Sequence, residues 1–195
     1  MNILEIFTNS ILLIITLDNE LWDIILLSLF VSFTALIIAS LLGFIVGYYF
    51  AIYNFYFKKI ILIIINSLMG IPPVVVGLIV YFIFASGGPL GILQLLYTPS
   101  AMIIAQTIII FPIIASLSHE IFSKNWFEFK DQIRSLNIPF WGSVKLLFNH
   151  SYFLLITTLL SAFGRAISEV GAVMIVGGNI DHYTRVMTTA ISLET

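Results

Sequence analysis

The stretch IILLSLFVSFTALIIASLLGFIVGYYFA, residues 24 to 51, decides the fold. It contains no charged side chain and exceeds the ~20 apolar residues that carry a helix across a bilayer. It ends in a cluster of aromatics (Tyr48, Tyr49, Tyr53, Tyr56) followed by Lys58 and Lys59. Interfacial aromatics with adjoining lysines mark a cytoplasmic membrane boundary. The rest of the chain has the same character, with 60% hydrophobic and 9% charged residues and a mean hydropathy of +1.11. Soluble domains have about a quarter of their residues charged. This chain therefore lacks the polar surface for water, and its natural solvent is lipid. Its 195 residues allow roughly five or six spanning helices.

Working outward, a second span is expected over about 60–84, a third over 100–118 and a fourth over 152–176. Towards the N-terminus, Ile3–Leu17 is apolar but short and is followed by Asp18, Asn19, Glu20 and Asp23. Residues 1–21 are read as a short or interfacial apolar helix, and 22–195 as the transmembrane domain. Six of the eight Lys and Arg (Lys58, Lys59, Lys124, Lys130, Arg134, Lys145) fall in 54–59 and 119–150. Two spans separate these segments, so both lie on one side, and the positive-inside rule makes that side cytoplasmic. The loops at 85–99 and 178–184 then face outward.

Several classes drop out at once. There is no cysteine, so disulfides and thiolate chemistry are excluded. A net charge of −2 offers nucleic acid no electrostatic footprint. No basic residue precedes Lys58, so the charged region of a secretory signal is missing. His119, His150 and His182 lie far apart at span ends, and no metal site is expected. The chain has no phosphate-binding Gly-x-x-x-x-Gly-Lys loop, nucleophile elbow or His-Glu-x-x-His helix, so no catalytic residue is expected and ATP hydrolysis by that route is excluded.

The long polar stretch 119–150 reads as a helical hairpin. In Asp131-Gln-Ile-Arg-Ser-Leu-Asn137-Ile-Pro139, Asn137 suits the left-handed position after a helix end. Pro139 suits the first turn of the next helix. Such a hairpin is either a docking surface for a soluble partner or a plain connector.

The tract Ala162-Phe-Gly-Arg-Ala-Ile-Ser-Glu-Val-Gly-Ala-Val-Met-Ile-Val-Gly-Gly-Asn-Ile180 places charges inside a span. Arg165 and Glu169 share a helix face at this spacing. Intramembrane charges pair with each other or face an aqueous cavity, so two readings stand: an intrahelical pair, or a pair that lines or gates a solute path. Ser161, Gly164, Ser168 and Gly171 recur at helical steps, and small residues permit close helix packing. The helix is therefore expected to be central. Gly43 and Gly47 likewise suggest close packing within the chain. Pro72–Pro73 must bend or break the second span.

At this tract the chain resembles the permease subunits of binding-protein-dependent ABC importers for molybdate, sulfate and tungstate. The pattern Arg165-x-x-x-Glu169-x-Gly171 followed by Asn179 carries the likeness, with Thr184-Arg-Val-Met-Thr-Thr-Ala-Ile191 and Leu193-Glu-Thr195. Gly70-Ile-Pro-Pro-Val-Val-Val-Gly77, Leu90-Gly91 and Thr98-Pro99 fit too. The tungstate-type members are the most similar. The family's cytoplasmic Glu-Ala-Ala-x-x-x-Gly motif is matched by Asp131-Gln132-Ile133 and, at the glycine, Asn137, with both alanines lost.

The resemblance implies an all-α membrane fold like a type I ABC importer permease bundle. It also implies one span beyond Thr195, so the chain is expected to lack the final span. It implies a homodimer in the inner membrane of a prokaryote, a separate ATP-binding subunit, an extracytoplasmic oxyanion-binding protein and no cofactor on this chain. Asp131, Gln132, Ile133, Asn137 and Pro139 would couple to the ATPase. Arg165, Glu169, Gly171, Asn179, Arg185, Thr188 and Thr189 would line or gate the path. Tungstate and molybdate are tetrahedral dianions of similar size, and only the resemblance favours tungstate. The rival class is a lone channel, secondary transporter or intramembrane enzyme. A secondary transporter needs coupling charges near the midplane, where Arg165 and Glu169 are the sole candidates.

Overall fold

The computed structural model describes residues 19–194; residues 1–18, on which the short N-terminal helix is expected, lie outside them. The described chain is helical: α1 (Asn19–Ile52), α2 (Lys58–Leu68), α3 (Pro73–Phe84), a 3-10 turn (Gly91–Leu93), α4 (Pro99–Ser135), α5 (Phe140–Ile167), α6 (Gly171–Gly177) and α7 (Met187–Glu194). By length and composition α1, α4 and α5 each suffice to cross a membrane.

α1 and α4 run parallel at the centre. Val31, Ala35 and Ala39 of α1 are buried in one core with Ala101, Met102, Ala105, Ile110 and Ile114 of α4. Alternating small and branched residues lets the two backbones approach, as small residues do in helix pairs within lipid. Gly43 and Gly47 set that approach. A Cβ on Gly43 would lie 2.8 Å from Ile114 Cγ2, and one on Gly47 2.9 Å from the His119 amide nitrogen. Ser118 donates its hydroxyl to Gly43 O at 3.3 Å across this seam. The opposite face of α1 exposes Phe30, Ile37, Leu41 and Ile45, as expected of a helix bathed in hydrocarbon.

The second span is a broken one. α2 and α3 meet at 101° across residues 69–72. Pro73 opens α3, with Pro72 as its cap. Proline lacks an N–H and fixes φ, so it fits best at a helix start, where that N–H would be unpaired in any case. The expected bend is thus a full break.

The fourth span is also broken, which differs from the single helix expected over 152–176. α5 ends at Ile167, residues 168–170 interrupt it, and α6 begins at Gly171. The physical reason is the buried Glu169, whose carboxylate takes the place of a helical carbonyl at the start of α6.

The polar stretch 119–150 consists of two helical arms. α4 continues without interruption from its apolar part to Ser135, through Pro112. It stops in a Schellman motif: Ile138 N donates to Ile133 O at 3.0 Å and Asn137 N to Arg134 O at 3.1 Å. Asn137 sits at φ 48°, the left-handed position that satisfies the last carbonyls of a helix. Pro139 is the cap of α5, one residue ahead of the first helical position expected for it.

Candidate translocation site

The two breaks lie side by side. A Cβ on Gly77 of α3 would be 2.7 Å from Ala172 Cα of α6, and one on Gly171 would be 2.6 Å from Val74 Cγ2. Only hydrogen at these positions lets α3 and α6 approach so closely, backbone against backbone at Gly77 and backbone against the Val74 side chain at Gly171. A groove of about 290 Å³ opens where they meet α4, with Leu68, Met69, Ile71, Thr107 and Arg165 on its walls.

The second break is held by polar contacts from three directions. Glu169, 6% exposed, accepts a hydrogen bond at Oε1 from Ala172 N at 3.3 Å. That satisfies one of the donors a helix leaves unpaired at its first turn. Its Oε2 stands 3.6 Å from Arg165 Nη2. Its backbone oxygen accepts from Thr188 Oγ1 at 2.9 Å. From α4, Gln106 donates Nε2 to Ala166 O at 3.1 Å. The carboxylate is therefore internal, while Arg165 is 42% exposed on the free face of α5.

That face is lined by small groups. Ser161 and Ser168 are exposed, and their hydroxyls donate to carbonyls of their own helix, Thr157 O at 2.9 Å and Arg165 O at 3.1 Å. A Cβ on Gly164 would meet nothing within 4 Å. The close packing expected for Ser161, Gly164 and Ser168 is thus absent within one chain; of that set, only Gly171 packs tightly, on Val74. Around Arg165 the helix presents an open patch of small residues.

The other expected path residues divide into separate groups. Thr188 joins Arg165, Glu169 and Gly171 at the break. Thr189 does not, being fully buried; it caps α7 by accepting from Val186 N at 3.1 Å. Asn179 lies in the outer turn at φ 49°, after Gly178 at φ 70°. Its amide nitrogen and oxygen are buried with no hydrogen-bonding partner among the described residues. Arg185 pairs with Asp181 Oδ1 at 2.9 Å and Glu20 Oε1 at 3.8 Å. It ties the outer turn to the start of α1, so its charge is committed locally instead of being presented to an anion.

At the hairpin, Asp131, Gln132, Asn137 and Pro139 are exposed around the tip, while Ile133 is buried beneath it. Phe127, Leu136 and Trp141 stand out into solvent beside them. Exposed aromatic and aliphatic side chains at a polar tip mark an interaction surface.

Two residues at the site were not expected from the sequence. Gln106 fastens the α5 break, and Ser28 Oγ accepts from Met187 N at 2.8 Å, holding the start of α7. Their signal was present, because an amide inside the apolar run Ile103-Ile-Ala-Gln-Thr-Ile108 must find a partner in lipid.

Among the described residues the architecture defines an all-α, multi-pass membrane protein with a polar helical hairpin. No family model matches the chain. It is 40% identical over 191 residues to the tungstate uptake system permease protein TupB of Peptoclostridium acidaminophilum, covering 98% of this chain and 84% of that protein. It is 38% identical over 172 residues to a probable anion ABC transporter permease protein of Haloferax volcanii, covering 86% and 74%. It is 41% identical over 144 residues to the TupB permease of Campylobacter jejuni, covering 73% and 60%. The chain belongs to this family of anion-uptake ABC permeases. It is a multi-pass transport subunit of a prokaryotic inner membrane.

Proposed function

We propose that this chain forms the membrane path of a tungstate importer, two copies enclosing the path between their α5 faces. The cargo assignment is supported by the tungstate permeases among its relatives. The observation that carries the mechanism is Arg165, a half-exposed cation among small, uncharged neighbours and backed by a buried carboxylate. A tetrahedral dianion entering that face meets a guanidinium able to make two parallel hydrogen bonds. Glu169 stays behind the helix, where it orients Arg165 and tempers its attraction. A path needs binding weak enough to release its cargo, and one shared cation meets that need better than a cluster would.

Energy comes from a separate ATP-binding subunit seated on the hairpin tip at Asp131, Gln132, Asn137 and Pro139, and this chain needs no cofactor of its own. An extracytoplasmic binding protein delivers the anion and supplies most of the affinity. Closing of the ATPases moves the hairpins; α4 and α5 run from the hairpin into the membrane as rigid helices and transmit that motion to the breaks. Proteoliposomes test this reading. With ATPase and binding protein present, tungstate should accumulate on ATP addition, and excess molybdate or sulfate should compete according to the binding protein's preference. Accumulation that persists without the ATPase would favour a stand-alone carrier and overturn the reading.

A further inference from the structure

Between α1, α4 and α7, directly behind the α5–α6 break, lies a second and much smaller space of about 10 Å³. That is about the volume one water molecule needs. Its polar lining comes from Ser28 and Ser32 of α1, Gln106 of α4 and Thr188 of α7.

The donors and acceptors around it do not balance without a guest. Gln106 is 4% exposed, and its Oε1 is buried with no partner among the described residues. Its orientation is fixed, because Nε2 donates to Ala166 O, and a flipped amide would set two carbonyl oxygens against each other. Ser28 and Thr188 spend their hydroxyl hydrogens on Ile24 O at 2.8 Å and Glu169 O at 2.9 Å. Towards the space these groups offer only lone pairs. Ser32, 2% exposed, supplies a hydroxyl hydrogen. A buried amide oxygen left unpaired costs roughly 1–3 kcal/mol. A void with two to four polar partners is the kind that holds ordered water.

We infer that Gln106, Ser32 and Thr188 bind a single buried water that joins α1, α4 and α7 at the level of the α5–α6 break. The water donates to Gln106 Oε1 and Thr188 Oγ1 and accepts from Ser32 Oγ. It completes the polar clamp on the break, whose other members are Glu169 and Gln106 Nε2. The inference is independent of which anion the importer carries.

Radiolytic footprinting of the assembled importer tests it, since a bound water generates hydroxyl radicals where bulk solvent cannot reach. Val31 and Val186 line the space and are 1% and 4% exposed, whereas Ile110, fully buried elsewhere, serves as the dry reference. The expected result is oxidation of Val31 and Val186 well above that of Ile110 in the wild-type protein. It should fall to the reference level in both Gln106→Leu, which removes the acceptor, and Ser32→Val, which fills the space from another helix. Wild-type oxidation no greater than at Ile110, or oxidation that survives in both variants, would overturn the inference. A variant that fails to assemble leaves the other, and the wild-type comparison, to decide.

Discussion

The two broken spans solve the same problem with different chemistry. In the first, Pro72 and Pro73 end α2 and restart α3 at 101°, and the break is apolar. In the second, Ser168, Glu169 and Val170 interrupt α5, and the freed backbone groups are taken up by a carboxylate, a threonine hydroxyl and an amide. The proline break is built into the covalent chain, and its backbone groups pair locally, Gly70 N with Ser67 O and Ile71 N with Leu68 O. The polar break is held in part by partners on other helices, Gln106 of α4 and Thr188 of α7. The first break is set by covalent geometry, and the second carries the Arg165–Glu169 pair.

The contact shared by the two breaks is the most sensitive point. Gly77→Leu would drive a side chain into the α6 backbone at Ala172. We expect a loss of about 3 kcal/mol, the upper range for overpacking a tight contact, seen as a lower unfolding temperature of the detergent-purified protein. An unchanged transition would mean that the outer halves are not packed together.

The polar break comes next. Glu169→Ala should cost about 2 kcal/mol, combining a lost helix cap with an unpaired neighbouring cation. Glu169→Gln keeps an acceptor for Ala172 N and should cost clearly less. Equal losses in thermal unfolding for Ala and Gln would show that the cap contributes nothing. The proline break should be the least sensitive. Pro73 occupies the first position of α3, where its missing N–H has no intrahelical partner in any case. Pro73→Ala should therefore change stability by only about 0.5 kcal/mol, chiefly through the unfolded chain.

This contrast also explains what could be read in advance. The all-helical membrane bundle, the first break and the Asn137 stop are written in residue types with narrow conformational meaning: long apolar runs, proline, and an asparagine after a helix. The second break is not. Ala162 to Val176 keeps a helical pattern, and Glu169 looks like one half of an ordinary helix-face pair with Arg165. Its capping of Ala172 accompanies burial and a bond from Thr188, which lies 19 residues away. Gln106 acts across 60 residues. Ser161, Gly164 and Ser168 were legible as a close-packing face, but one chain alone leaves that face open. The resemblance puts Thr189 and Arg185 on the path; residue type does not reveal that one caps a helix and the other is tied to Asp181 and Glu20.

The central claim is that Arg165 contacts the anion in the path. Its direct test is the initial rate of ATP-driven tungstate uptake by proteoliposomes carrying Arg165→Gln with the ATPase and binding protein. The rate is compared with wild type at equal amounts of assembled complex. Losing one charge-assisted hydrogen-bonding partner is worth about 1.5–3 kcal/mol, so uptake should fall by about tenfold or more while the binding protein's own affinity stays unchanged. Uptake by Arg165→Gln at the wild-type rate would contradict the account.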